Sequence, residues 1–218
     1  MRKYNYLIFD LDGTLLDTVP ELRNNLNLAF RDVNLKADFT DDEVMSFLGS
    51  GKAVQIKRAL KARNYDEKTH FAAVDAALTK YYAENIVALT KPFPGVEKTL
   101  EMLANAGYTL FIATNKPHDI ALRVVDHFFG DTFTFIKGDA GDGITKPRKE
   151  FLEVFVKKYG VKPSEALYIG DSEIDYLTAK NAGISCVLLN YGYDKPFLAR
   201  KEFTAKLIDE FKEILNLL

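Results

Sequence analysis

The chain has 218 residues, a formal net charge of −2 and one cysteine, and 47% of its residues are hydrophobic. A chain of this length forms one large domain, or one domain with a smaller companion, and folds without disulfides. The near balance of acidic and basic residues gives no electrostatic footprint for nucleic acid. The single cysteine and the lack of a long apolar run predict a cytoplasmic protein that does not cross a membrane.

The chain begins with a short strand that is followed by a long helical block. The apolar run Tyr6–Phe9 predicts a buried strand. The next helix is predicted to begin at a capping box of Thr18 and Glu21, because these side chains can each accept a backbone N–H of the first turn. The pattern stays helical over residues 16–90, which predicts an insertion after the first strand.

Strands and helices alternate regularly in the remainder of the chain. Further strands are predicted at residues 109–113, 133–136, 167–169 and 184–189, with a short one near 206–208 and a final helix after it. Helices are predicted between them over 117–128, 149–159 and 173–182. This alternation favours a parallel sheet with helices on both faces. We predict an α/β fold with a Rossmann-like sheet, in which residues 1–15 and 91–218 form the core domain and 16–90 an inserted helical cap domain.

Polar residues follow the predicted strands at the points where the strands end. They are Asp10, Asp12, Thr14, Thr114, Asn115, Lys146, Asp171 and Asp175. In an open parallel sheet, ligands bind beyond the carboxyl ends of the strands. We therefore expect these side chains to meet in one site.

The chemistry of these residues indicates a site for a metal and a multiply charged anion. Carboxylates at one edge repel each other, so the site must protonate some of them or bind a cation. Oxygen ligands suit Mg²⁺, and the lack of histidine or cysteine in the group disfavours zinc. Lys146 adds a positive charge, and Thr114 and Asn115 add neutral donors. Phosphate fits such a site, and a carboxylate can attack phosphorus to form an acyl phosphate.

Four segments resemble the signatures of the haloacid dehalogenase-like hydrolase superfamily, in the same order. They are residues 10–15 (DLDGTL), 114–115 (TN), 146–147 (KP) and 170–175 (GDSEID). Within the superfamily the chain is similar to the phosphoglycolate phosphatases. The segments behind this narrower resemblance are 48–51 (LGSG), 93–96 (FPGV), 113–117 (ATNKP) and 179–183 (AKNAG).

The resemblance implies a role for each matching residue. Asp10 would be the nucleophile that becomes an aspartyl-phosphate. Asp12 would protonate the leaving group and then deprotonate the attacking water. Thr114 and the backbone of Asn115 would hold the phosphoryl oxygens, and Lys146 would bridge the phosphoryl group and Asp10.

The implied cofactor is Mg²⁺. Its ligands would come from Asp10, from the backbone carbonyl of Asp12 and from Asp171, while Asp175 would support this ligand shell or orient Lys146. The helical block would be the cap that closes over the site and excludes water.

Two sequence features leave alternatives open. The third signature often continues Lys-Pro-x-Pro but here ends in Lys149, which is therefore an alternative to Lys146 as the working lysine. The segment 49–52 is either a plain turn between helices or a loop that contacts the substrate. In the second case Gly49, Gly51 and Lys52 would bind the leaving group, with Lys52 or Arg58 facing a carboxylate on it.

The predicted function is that of a Mg²⁺-dependent phosphatase. Its substrate would be a small phosphomonoester, phosphoglycolate-like or a sugar phosphate, and the protein would be a monomer or weak homodimer. The alternatives are a phosphomutase or pyrophosphatase of the same superfamily, or a non-catalytic phosphate-sensing or partner-binding protein. Dehalogenation is disfavoured because that chemistry does not use the second aspartate, which is present here as Asp12.

Overall fold

The computed structural model describes residues 2–200 and 202–218 and contains two β-sheets. The strands are β1 (Tyr6–Phe9), β2 (Leu16–Asp17), β3 (Lys91–Pro92), β4 (Thr109–Pro117), β5 (Phe135–Asp139), β6 (Ala166–Gly170), β7 (Ser185–Leu189) and β8 (Lys206–Ile208). Six strands form one parallel sheet in the order β5-β4-β1-β6-β7-β8, and β2 pairs with β3. The parallel sheet confirms the predicted Rossmann-like α/β fold.

The chain divides into two compact units. The first runs to Leu16 and resumes at Pro92, and the second is Asp17–Lys91. The chain passes between the units twice, at β2 and at β3. Among the described residues, no helix is long and apolar enough to span a bilayer.

The large sheet is buried because its central strands are apolar on both faces. Leu7, Ile8 and Phe9 of β1 are fully buried. Ile8 packs in a cluster that includes Phe111 of β4 and Tyr168 of β6. This packing fixes the three neighbouring strands whose carboxyl ends carry the polar residues.

The helices of the first unit differ in detail from the predicted ones. They are α5 (Val96–Asn105), α6 (His118–Phe129), α7 (Glu153–Tyr159), α8 (Glu173–Asn181) and α9 (Lys195–Arg200). A single helix was expected over 149–159, but a 3₁₀ turn at Lys149–Phe151 precedes α7. The final segment Phe211–Leu217 is a 3₁₀ helix, and α9 had no predicted counterpart.

The second unit consists of four helices. They are α1 (Val19–Asp32), α2 (Asp41–Phe47), α3 (Lys52–Ala62) and α4 (Glu67–Glu84). The predicted capping box of Thr18 and Glu21 is wrong, since the Thr18 side chain makes no capping hydrogen bond. Glu21 instead accepts a hydrogen bond of 2.6 Å from the backbone N–H of Leu89. A long-range contact has replaced the local one.

An arginine network holds α2 against the end of α3. The Arg63 guanidinium donates to both carboxylate oxygens of Glu43, at 2.7 and 3.0 Å, and to Asp38 at 3.0 Å. It also lies 4.1 Å from the centre of the Phe39 ring. Arg63 and the backbone N–H of Thr40 lower the pKa of Glu43 to about 2. The folded state therefore favours the ionised carboxylate.

We expect Glu43→Gln to destabilise the protein by about 1 kcal/mol at neutral pH, since the pair is bidentate but part-exposed. The wild-type contribution is present above the ordinary pKa of 4.5 and is lost as the pH falls towards 2. The difference between the two proteins should therefore shrink over that range. Thermal unfolding at a series of pH values measures it. Glu67→Gln, which breaks the half-exposed pair with Lys57, is the matched control and should have a smaller effect.

Candidate active site

Three adjacent strands of the large sheet deliver polar side chains to the same edge. Asp10 follows β1, Thr114 and Asn115 lie near the end of β4, and Asp171 follows β6. Because β1 lies between β4 and β6, these strand ends are neighbours. The β4–β5 pairing shifts between Ala113 and Pro117, so the chain departs from regular strand geometry at this edge.

A buried group of three carboxylates surrounds one lysine. Asp10, Asp171 and Asp175 each offer a carboxylate oxygen within 4.8 Å of the others. Lys146 Nζ lies 2.9 Å from Asp10 Oδ1 and 2.7 Å from Asp175 Oδ1. Lys149, the alternative lysine, is exposed. The structure thus places Lys146 in the group and leaves Lys149 at the surface.

The group holds three carboxylates and one ammonium, all of them buried. Burial, reinforced by the charge of Asp175, raises the pKa of Asp10 to about 7 despite the nearby Lys146. Burial and both neighbouring carboxylates raise the pKa of Asp171 well above its usual range. Burial alone would lower the pKa of Lys146, but Asp10 and Asp175 outweigh it and raise that pKa. A further cation would relieve the repulsion.

Asp175 is held by hydrogen bonds on both of its carboxylate oxygens. Oδ1 accepts from Lys146 Nζ at 2.7 Å and from the Tyr168 hydroxyl at 3.0 Å. Oδ2 accepts from the Ser172 hydroxyl at 2.6 Å and from the backbone N–H groups of Asp171 and Ser172, both at 3.2 Å. A carboxylate has about four acceptor positions. This arrangement favours the orientation of Lys146 over direct metal ligation.

Asp171 lies in a close-fitting cradle. Thr14 Oγ1 donates to Asp171 Oδ1, and the backbone N–H of Tyr193 donates to Oδ2, each at 2.8 Å. A Cβ at Gly13, whose φ is +86°, would lie 2.5 Å from Asp171 Oδ2. A Cβ at Gly192 would lie 2.0 Å from Asp171 Cβ. Glycine at both positions lets the backbone approach this carboxylate.

The residues present fit a magnesium ion. Asp10 Oδ1 is buried, and the one partner recorded for it among the described residues is the Lys146 ammonium at 2.9 Å. Each Asp171 oxygen accepts a single hydrogen bond that the structure records. The donor set consists of oxygen atoms, which Mg²⁺ prefers. Asp10 and Asp171 are therefore the carboxylates best able to hold the ion.

Asp12 is separate from the carboxylate group. Its two carboxylate oxygens accept hydrogen bonds from Lys116 Nζ at 3.0 and 3.1 Å. The Lys116 side chain is almost fully buried, whereas that of Asp12 is partly exposed. Lys116 belongs to the segment 113–117, but the sequence predicted no role for it. Its position directly after the two predicted phosphate-binding residues could have indicated a role in the site.

Asn115 and Thr114 make local contacts that shape the site. The Asn115 side chain accepts from the backbone N–H of Lys146 at 2.8 Å and donates to its carbonyl at 3.2 Å. Thr114 Oγ1 accepts from the backbone N–H of Lys116 at 3.2 Å. The Asn115 side chain is thus a clamp on the backbone of Lys146. That the Asn115 backbone holds a phosphoryl oxygen stays a prediction.

The predicted substrate loop belongs to the helical unit and forms the turn between α2 and α3. Gly49 and Gly51 have φ values of +94° and +85°. Lys52 Nζ lies 2.9 Å from Asp75 Oδ1 and donates to Thr79 Oγ1 at 2.6 Å, both on α4. Arg58 donates to the carbonyl of Leu48 at 3.1 Å. These contacts give the segment a packing role, and its contact with substrate stays a prediction.

Besides Lys116, two further parts of the site were not predicted from the sequence. The Tyr168 hydroxyl lies 3.0 Å from Asp175 Oδ1 and 3.1 Å from the Ala113 carbonyl, and it accepts from Lys146 Nζ at 3.3 Å. In the sequence, Tyr168 stands out as a phenol within an apolar strand. A buried phenol usually has a hydrogen-bond partner, so this pattern could have indicated its role. The loop after β7 also contributes, since the Tyr191 hydroxyl donates to the Thr14 carbonyl at 2.7 Å.

Comparison with known proteins places this geometry in a family. The family model described as haloacid dehalogenase-like hydrolase matches residues 7–189. The chain is 33% identical to a phosphoglycolate phosphatase of Pasteurella multocida (strain Pm70) over the full length of both chains. It is 34% identical to one of Vibrio parahaemolyticus serotype O3:K6, with 96% of this chain and 95% of that protein covered.

A solved structure shows the same fold. The crystal structure described as a predicted phosphoglycolate phosphatase from Haemophilus somnus 129pt superposes with a TM-score of 0.91 at 30% identity. The superposition covers 100% of this chain and 99% of that one. The likeness therefore extends over both units of the chain.

Proposed function

The chain belongs to the haloacid dehalogenase-like hydrolase family and is a hydrolase of phosphoric monoesters, and we propose that it is a Mg²⁺-dependent phosphatase that acts through an aspartyl-phosphate. The proposed substrate is phosphoglycolate or a similarly small phosphomonoester, as the names of its relatives suggest. We further propose that the enzyme is cytoplasmic and acts as a monomer or weak homodimer.

One observation carries the proposal. Lys146 Nζ lies within 3 Å of both Asp10 and Asp175, and among the described residues it is the one partner recorded for the buried Asp10 Oδ1. A buried carboxylate that is oriented by an ammonium and keeps free acceptor positions can serve as a nucleophile or a metal ligand. The ammonium beside it would offset charge on the phosphoryl oxygens.

The proposed reaction has two steps. An Asp10 carboxylate oxygen attacks phosphorus, the bond from phosphorus to the ester oxygen breaks, and Asp12 gives that oxygen a proton. Asp12 then takes a proton from water, which attacks phosphorus and releases inorganic phosphate and the Asp10 carboxylate. For both steps Asp12 must release its pair with Lys116.

The other residues would bind the phosphoryl group and Mg²⁺ or orient the groups that do so. Lys146 would neutralise the phosphoryl group, with Asp175 and Asn115 holding the lysine in place, and Thr114 would donate to a phosphoryl oxygen. Mg²⁺, held by Asp10, Asp171 and the Asp12 carbonyl, would supply further charge neutralisation. The helical unit is proposed to be the cap that excludes water from the reaction.

A substrate screen tests the proposed function. Purified protein is assayed with several dozen phosphorylated metabolites, including phosphoglycolate, sugar 1-phosphates and pyrophosphate. We expect release of inorganic phosphate, fastest with phosphoglycolate, that stops with a chelator and returns with excess Mg²⁺.

Other outcomes of the screen would contradict the proposal. Isomerisation of a sugar phosphate without phosphate release would indicate a mutase. Turnover confined to pyrophosphate would indicate a pyrophosphatase. One equivalent of phosphate taken up and held would indicate a sensor.

We expect Tyr168→Phe to lower kcat by about tenfold and to change KM by less than about twofold. The hydroxyl contacts Lys146 and Asp175 but is placed too deep to bind the leaving group, and the ring that packs in the core is kept. Steady-state kinetics on phosphoglycolate measure both constants. Tyr159→Phe, which removes a hydroxyl at 3.5 Å from the Thr134 carbonyl, should leave both unchanged. An equal loss in the two variants would contradict a positioning role.

A further inference from the structure

A cavity lies at the amino ends of the strands of the large sheet, opposite the carboxylate group. Its volume is about 560 Å³, and the residues around it include Leu167, Ser185 and Lys206, which lie at the amino ends of β6, β7 and β8. Cavities of about 300–1,000 Å³ are typical of small-molecule sites. The proposed reaction uses none of the residues that line it.

The wall of this cavity combines an apolar surface with hydroxyl groups. Leu167, Ile184 and Val187 supply aliphatic surface. Tyr4 and Tyr176 supply two aromatic rings with phenol groups. Such a wall suits a ligand whose body is apolar or aromatic and which also carries a polar group.

Among the described residues, the charged side chains around the cavity are all positive. Lys3, Lys180 and Lys206 line it, and no acidic side chain does so within the part of the chain that the structure describes. Lys3 Nζ lies 4.8 Å from the centre of the Tyr4 ring, and Lys180 Nζ lies 5.8 Å from that of Tyr176. Since both rings line the cavity, these ammonium groups lie close to its wall.

Among the described residues, the three lysines also have no recorded carboxylate partner. None forms an ion pair within 4 Å with a described acidic residue. The phenol oxygens lie among donors, since Tyr4 contacts Lys3 and Ser185, and Tyr176 contacts Thr204. Like charges around one cavity repel each other, and a bound anion would offset that repulsion.

We propose that this cavity binds a small organic anion: a carboxylate, sulfonate or phosphate ester carried on an apolar or aromatic body. The apolar wall would take the body, and the ammonium and hydroxyl groups would take the negative group. The site would be distinct from the phosphatase site, because the two occupy opposite ends of β6.

Dye binding tests this site without a phosphate group. The probe is 8-anilinonaphthalene-1-sulfonate, an aromatic anion that fluoresces in apolar surroundings, titrated against the full chain. We expect saturable binding at one site. The double variant Lys180→Glu/Lys206→Glu should weaken it by about tenfold, because it reverses two charges at the cavity wall.

A matched control carries the same change in net charge elsewhere. Lys98→Glu/Lys149→Glu reverses two exposed lysines away from the cavity and should leave the affinity for the dye within about twofold of wild type. The neutral analogue N-phenyl-1-naphthylamine should bind at least about tenfold more weakly than the anionic dye. Wild-type circular dichroism spectra and thermal unfolding temperatures in both double variants would show that they are folded, and Lys180→Gln is a milder substitute if one is not.

Three results would overturn the proposal. They are the absence of saturable fluorescence, an equal loss of affinity in the cavity and control variants, and equal affinity for the neutral and anionic dyes. Since the dye carries no phosphate and the variants leave Asp10 and Lys146 intact, these results are independent of the proposed catalytic function.

Discussion

Asp10→Asn is expected to lower phosphatase turnover by at least about a thousandfold. The amide has nearly the same shape as the carboxylate but is a far weaker nucleophile and metal ligand. Turnover of phosphoglycolate with Mg²⁺ measures the effect. Asp126→Asn, on the exposed face of α6, should retain wild-type turnover.

The same substitution should not destabilise the metal-free protein. Burial raises the pKa of Asp10 from 3.8 to about 7. A raised carboxyl pKa contributes stability that is present below 3.8 and is lost as the pH rises through about 7. The wild-type protein should therefore lose stability over that range in chelator, and Asp10→Asn should lose less. Denaturant unfolding at several pH values measures this difference.

The assignment of the nucleophile can also be tested directly. Beryllofluoride with Mg²⁺ should form an adduct on the wild-type protein that mimics the aspartyl-phosphate, and Asp10→Asn should form none. An adduct on another residue, or wild-type turnover in the variant, would show that Asp10 is not the nucleophile.

Lys146→Met is expected to destabilise the protein by about 3–5 kcal/mol and to abolish turnover. The ammonium is buried between Asp10 and Asp175, with its side chain 2% exposed. Its removal leaves two buried carboxylates without their cation, and it removes the charge that would face the phosphoryl group. Denaturant unfolding in metal-free buffer measures the loss of stability, and the phosphatase assay measures the loss of turnover.

Lys149→Met is the matched control for that variant, because Lys149 is exposed three residues further along the chain. It should change the free energy of unfolding by less than about 0.5 kcal/mol. The double variant Lys146→Met/Asp175→Asn should be less destabilised than the sum of the two single variants, because the pair is coupled. Additive losses, or a larger loss of activity in Lys149→Met, would contradict the role of Lys146.

Local pattern was sufficient for the strands that build the site. The apolar run Tyr6–Phe9 can be buried on both faces only as a central strand, and β1 has that position. The carboxyl ends of parallel strands meet at one edge whatever the loops between them do. For this reason Asp10, Thr114 and Asp171 could be placed together from sequence.

Two local patterns predicted structure that the folded chain does not have, and in one of them a distant group replaces a local partner. The spacing of Thr18 and Glu21 suits a capping box, but the backbone N–H of Leu89 takes the Glu21 carboxylate. Periodicity over 149–159 suits one helix, but its first turn is 3₁₀. Leu89 lies 68 residues further along the chain than Glu21, so a pattern of neighbouring residues cannot reveal this contact.

The fold class, the sheet edge of the candidate site and the residue types gathered there could all be predicted from the sequence. These follow from periodicity and residue type, which are local properties. Only the folded chain brings Lys146 to Asp175, pairs Lys116 with Asp12 and sets the Tyr168 hydroxyl within hydrogen-bond distance of both Asp175 and the Ala113 carbonyl. Hydrogen bonds depend on distances of a few ångström between groups far apart in the chain, and packing of the whole sheet sets those distances.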